Sequence, residues 1–128
     1  MLHYIRLFVI SLLLVGCESP SIEPPSIDVD LIQLAPEASS AIKVLQAKVK
    51  THPDDVKAWR ELGMLYHAHG LEEAAILAYN YVGSTTNDPQ AIYLQAIANA
   101  RLGEYDEALR LAAKVSSNAW TCHCQQAL

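Results

Sequence analysis

The side chains best suited to chemistry in this chain are its three cysteines and five histidines. Cys122-His123-Cys124 sets two thiols and an imidazole in a row, donors that suit a soft metal such as Zn²⁺ or Cu(I). A closed zinc site needs four ligands, and no C-x2-C or H-x3-H partner lies nearby. Nor is the run C-x-x-C-H, the pattern of covalent haem attachment. In an oxidising compartment the two thiols can pair, although a single intervening residue strains the bridge. Two readings stand: a metal- or thiol-handling accessory using Cys122, His123 and Cys124, or incidental residues of a short terminal helix. His67 and His69 are two apart, which turns them about 200° from each other on a helix, so they do not chelate one ion. Glu72-Glu73 and Asp106-Glu107 sit where helices are expected to begin and there complement the positive end of the helix dipole. No serine or cysteine lies in a nucleophile motif, and no glycine-rich phosphate loop is present. An enzyme is not expected, and no cofactor is implied.

The elements that position these groups follow from hydrophobic spacing. Between Ala58 and Val82, Trp59, Leu62 and Tyr66 recur at i, i+3 and i+7, which places them on one helical face. Gly63 lies on the same helix, where glycine costs about 1 kcal/mol relative to alanine. A close approach by a neighbouring helix is the packing reason that offsets this. Gly70 is placed to close the helix in a left-handed conformation. Ala75 and Tyr79, four apart, face back from a second helix. The arrangement repeats. Gly70 recurs as Gly103, and Ala75 maps forward 33 residues to Ala108 and back 34 to Ala41.

Trp59, Leu62, Gly63 and Tyr66 in the order W-x2-L-G-x2-Y, followed by A-x3-aromatic at Ala75 and Tyr79, resemble the tetratricopeptide (TPR) repeat, a helix–turn–helix unit of about 34 residues. The resemblance implies an all-α, right-handed solenoid of antiparallel helix pairs, with about five helices over residues 36–118. A half-repeat spans 36–52, with Ala38, Ala41, Ile42, Leu45 and Val49 on its packing face. Full repeats follow at 53–86 and 88–116. One of Asp54 and Asp55 is expected to cap the first helix of the complete repeat, which runs to about Ala68. Its second helix is expected from Leu71 to about Val82, with Gly83 to Pro89 as a long link in which Asp88 is the N-cap of the next helix and Pro89 lies in its first turn. The second full repeat departs from the pattern: Ile92, Gln95, Ala96 and Asn99 stand for the tryptophan, leucine, glycine and tyrosine. Tyr105, Ala108, Leu109 and Ala112 are expected on the inner face of its last helix. Residues 119–128 break the register, as a terminal cap or a truncated helix.

In TPR proteins the first helices of successive repeats line a concave groove that holds a peptide or a partner's helix. Carried onto this chain, the resemblance gives Lys57, Arg60, Met64 and His67 from one repeat and Gln90, Tyr93, Ile97 and Arg101 from the next. A cationic end beside an apolar, aromatic strip suits a protein segment carrying some acidic residues. Met64 and Leu94 stand where chaperone-binding members have asparagines, so chaperone tails are not the expected ligand. A formal net charge of -5, with no basic patch, argues against nucleic acid.

The chain's beginning bears on location. His3 and Arg6 precede an apolar run, Leu7 to Val15, too short for the about 20 residues of a bilayer span but of the length of a secretory signal. Leu14-Val15-Gly16-Cys17 resembles the bacterial lipobox. That resemblance implies a signal peptide over 1–16 and lipidation of Cys17, with two or more acyl chains anchoring stably at a membrane surface. Glu18, where aspartate favours inner-membrane retention in Gram-negative lipoproteins, leans towards the outer membrane, facing the periplasm. Residues 17–35, rich in proline, serine and acids, are expected to be a disordered tether, of which Glu18 to Asp30 would reach roughly 40 Å. The resulting expectation is a lipid-anchored, non-catalytic adaptor or assembly factor for an envelope protein or complex. Because so few repeats bury little apolar surface, a partner or second copy, hence a homo-oligomer, is expected to cover an exposed end.

Overall fold

Five helices follow one another in the structure, a computed structural model that describes residues 22–125, with side chains as far as residue 117. They are α1 (Pro36–Thr51), α2 (Val56–Ala68), α3 (Glu72–Thr86), α4 (Pro89–Arg101) and α5 (Tyr105–Gln125). No strand occurs among the described residues. The expected signal peptide and Cys17 lie outside those residues, as do the side chains of Cys122, His123 and Cys124.

Each helix begins and ends for a local reason. Pro36 opens α1 with its φ already helical, and Glu37 lies in the first turn. Asp55 caps α2, its Oδ1 accepting the Ala58 N–H at 2.9 Å. Asp88 caps α4 in the same way, accepting the Gln90 N–H at 2.9 Å, with Pro89 next in the chain. Gly70 and Gly103 take φ of +71° and +83°. The residue after each donates back across the turn, Leu71 N–H to the Tyr66 carbonyl at 3.0 Å and Glu104 N–H to the Asn99 carbonyl at 2.9 Å. These are the same helix closure, 33 residues apart.

Consecutive helices pack as pairs, α1 on α2, α2 on α3, α3 on α4 and α4 on α5, an all-α array of TPR-like form. Trp59, Leu62, Tyr66, Ala75, Ala78, Tyr79 and Val82 form its buried centre. Gly63 allows α2 and α3 to meet: a Cβ there would lie 2.8 Å from Tyr79 Cε1 and 3.2 Å from Ala78 Cβ. The Trp59 and Tyr81 rings pack at 5.2 Å between centroids. Both side chains donate to the Pro53 carbonyl, at 2.9 and 3.0 Å, which fixes the α1–α2 link. In the second repeat Ile92, Ala96 and Leu111 continue the core, with Val115 against them. Gln95 and Asn99 are buried despite being polar. Asn99 Nδ2 donates to the Gln95 carbonyl at 2.8 Å, so that the amide does not go unpaired.

Five expectations are corrected. The second helix of the complete repeat does not stop near Val82 but runs to Thr86. Gly83 sits within it because a Cβ there would meet Ile92 Cγ1 at 3.0 Å. Thr85 and Thr86 hydroxyls bond back to the Tyr81 and Val82 carbonyls, and Asn87 ends the helix in the left-handed region at φ 51°. The last helix continues unbroken from Tyr105 to Gln125, with no separate terminal element starting at 119. On α1 the buried positions are Ile42 and Val49, while Ala41 is exposed. Among the described residues no helix precedes α1 to hold it in the register of the later ones. On α5 the inner face is Ala108, Leu111 and Val115 rather than Tyr105 and Leu109, which are 66% and 69% exposed. Finally, where a disordered tether was expected, residues 22–31 carry no regular secondary structure and 32–34 form a turn, but Ile27, Val29, Leu31 and Leu34 pack against the core.

Candidate interaction surface

The expected groove residues lie on α2 and α4, the first helix of each repeat, and helical period puts their exposed members in two stripes. Lys57, Glu61, Met64 and Ala68 are exposed along α2; Gln90, Tyr93 and Arg101 are exposed along α4, with Ile97 half-buried between them. Met64 is 47% exposed and Tyr93 53%. Large apolar side chains held at that exposure by a rigid helix are available to a partner.

The cations behave differently from the sequence expectation. Arg60 on α2 pairs with Asp88, the N-cap of α4, which links the two first helices at that end. Arg101 Nη1 donates to Glu72 Oε1 at 2.9 Å, joining the end of α4 to the start of α3. Lys57 lies 3.9 Å from Glu61, one turn on. Each positive charge expected to meet a ligand's acid already faces a carboxylate of this chain. What the face leaves unmet is apolar.

His67 does not line an open groove. It is half-buried, its ring 6.1 Å from that of Tyr79 and its Nε2 3.8 Å from Glu72 Oε2, beyond hydrogen-bonding distance. The structure therefore gathers His67, Glu72, Tyr79 and Arg101 where α2, α3 and α4 meet. Burial pushes the Tyr79 phenol up to about 12, with the Glu72 charge adding to the rise and Arg101 opposing it. Burial also raises Tyr66, against the hydrogen bond it receives from Gln46 Nε2 at 2.9 Å. At the α2 N-terminus the Ala58 N–H, and after it Lys48, hold the Asp55 carboxyl below its ordinary value.

Glu72 and Asp88 are the residues that sequence reasoning assigned too small a role, as helix-start charges alone. Their partners lie 29 and 28 residues away, close to one repeat. Opposite charges at nearly the repeat period were the available signal. Among the described residues no group of three or more His, Cys, Asp or Glu side chains could hold a metal ion. No described helix is long and apolar enough to cross a membrane.

The chain is 35% identical over 86 residues to superkiller protein 3 of Saccharomyces cerevisiae. The match takes in 66% of this chain but only 6% of that protein's length, so the likeness concerns a small part of that relative. The chain is built of TPR-like helical repeats. No family model matches it.

Proposed function

We propose that this protein is a non-catalytic interaction module whose α2–α4 face receives a segment of a partner protein. The observation that carries the reading is the contrast on that face. Met64 and Tyr93 stand open, whereas Arg60 and Arg101 are engaged by Asp88 and Glu72. Binding therefore rests on apolar and aromatic contact, with Met64 adapting its shape and Tyr93 supplying a rigid ring with a polar tip. The ligand is an amphipathic helix or extended segment presenting an apolar stripe. The likeness of these helical repeats to a short stretch of a much larger relative supports a protein-binding role in general.

The module is further proposed to sit on a bacterial membrane, anchored by lipid on Cys17, and to act as an adaptor or assembly factor at the periplasmic face of the outer membrane. The lipobox-like Leu14-Val15-Gly16-Cys17 followed by Glu18 supports this placement. Cys17→Ser is expected to abolish palmitate labelling and move the protein to the soluble fraction. Retention of label would contradict the anchor.

The binding role is tested by crosslinked capture from detergent-solubilised envelopes, comparing wild type with Met64→Asp/Tyr93→Ala. Both substituted side chains are exposed, so the double variant should keep its helical circular dichroism. A specific partner captured by wild type and lost from the folded variant is the expected result. Equal capture by both would remove binding from this face.

A further inference from the structure

The non-helical segment 22–34 ends in a turn at 32–34 and packs on the first two helices. Ile27, Val29 and Leu31 alternate inward and half-buried, while Asp28 and Asp30 between them are exposed. The segment lies over the α1–α2 face whose floor is Val49, Trp59, Leu62 and Tyr66. It covers the end of the array, where among the described residues no helix precedes α1.

Its attachment is unusual for a covering element. Among the described residues, no hydrogen bond or ion pair joins residues 22–30 to any helix; the bonds recorded nearby are local, Ile32 N–H to Asp30 Oδ1 and Leu34 N–H to the Leu31 carbonyl. Side-chain contact alone holds it, and that contact is incomplete. A cavity of about 560 Å³ remains between Pro25, Ile27 and Val29 on one side and Val49, Trp59 and Tyr66 on the other. Charge favours the pairing. The segment carries Glu23, Asp28 and Asp30, whereas α1 carries Lys43, Lys48 and Lys50 against a single acid, Glu37. Lys48 is engaged by Asp55 at 3.0 Å, but Lys43 and Lys50 make no ion pair among the described residues. Lys50 borders the same cavity as Asp28, and Lys43 borders a neighbouring hollow with Asp30.

We propose that the α1–α2 face beneath this strap is a second binding site, for an extended segment of a partner protein in which apolar residues alternate with acids, and that the strap is its resident occupant. The site is separate from the Met64–Tyr93 strip. The alternation of Ile27, Val29 and Leu31 with Asp28 and Asp30 displays the ligand chemistry, and the two unpaired lysines read the acids. A tethered occupant competes at an effective concentration in the millimolar range, so an incoming segment must fill the cavity better than the strap does.

The test uses the full chain and a synthetic peptide copying residues 22–34. Ile27→Asp/Val29→Asp places charges against the apolar floor and should release the strap. Calorimetry is expected to show one-to-one binding of the peptide to this variant, at least ten-fold tighter than to wild type. A peptide with Asp28→Lys and Asp30→Lys should bind the variant at least ten-fold more weakly than the native peptide. Absence of binding to the folded variant, equal affinity of variant and wild type, or equal affinity of the two peptides would each overturn the proposal. Should the aspartate variant lose its helical circular dichroism, Ile27→Ala/Val29→Ala takes its place under the same criteria. Unfolding of that milder variant would show the strap to be an integral part of the core and would also overturn the proposal.

Discussion

Gly63 shows how a single absent side chain sets the distance between two helices. An alanine methyl there would enter the space of the Tyr79 ring, 2.8 Å from Cε1, and the ring is itself buried. Gly63→Ala gains helix propensity of about 1 kcal/mol but forces a packed aromatic to move, and a net loss of about 1–3 kcal/mol is expected in a denaturant melt. Unchanged or increased stability would mean that α2 and α3 do not meet at this point. Tyr79 itself gives a pH signature. Its phenol lies near 12 in the folded chain, above the ordinary value of about 10, so folding favours the neutral form. That contribution is complete below about pH 10 and is lost as pH rises through 12. Tyr79→Phe should therefore flatten the fall in melting temperature between pH 10 and 12. An equally steep fall would place the tyrosine outside the Glu72 cluster. Trp59, Leu62, Gly63 and Tyr66 were legible from spacing because helical packing leaves those positions little freedom. The partners of Arg60 and Arg101 sit on other elements, nearly one repeat away, which the spacing along a single helix does not reveal.

At the scale of elements, helix ends were legible wherever a capping residue announced them. Asp55, Asp88, Gly70 and Gly103 all act at the ends expected of them. The end of α3 was not, because Gly83 reads as a breaker in sequence and works in the structure as a contact surface for Ile92. The face of α5 was misassigned for a different reason. Repeat register predicts which residues would be covered by a following helix, and among the described residues none follows. Tyr105 and Leu109 thus remain exposed while Leu111 is buried. Leu109→Ala should change stability by no more than about 0.5 kcal/mol, whereas Leu111→Ala should cost about 2–5 kcal/mol. Paired thermal melts decide between the two faces, and the opposite ranking would restore the sequence expectation.

At the scale of the molecule, the two complete helix pairs and the half-repeat among the described residues fall short of the three repeats from which such arrays usually draw their stability. α1 extends the core past Trp59, with the strap packed against it, and the long α5 extends it past Ile92. The periodic part of this architecture could be read from sequence, since each repeat restates the same contacts. The strap could not, because its composition of prolines, serines and acids reads as tether and only its seat reveals the inward alternation of Ile27, Val29 and Leu31. Under the proposed function, a partner is met on the α2–α4 face. The most direct measurement is site-specific photocrosslinking in cells, with a photoreactive amino acid placed at Met64, at Tyr93, or at Leu77 on the exposed side of α3. Crosslinks to one protein from Met64 and Tyr93, with none from Leu77, are predicted. Crosslinks from Leu77 alone, or equally from all three positions, would contradict the claim.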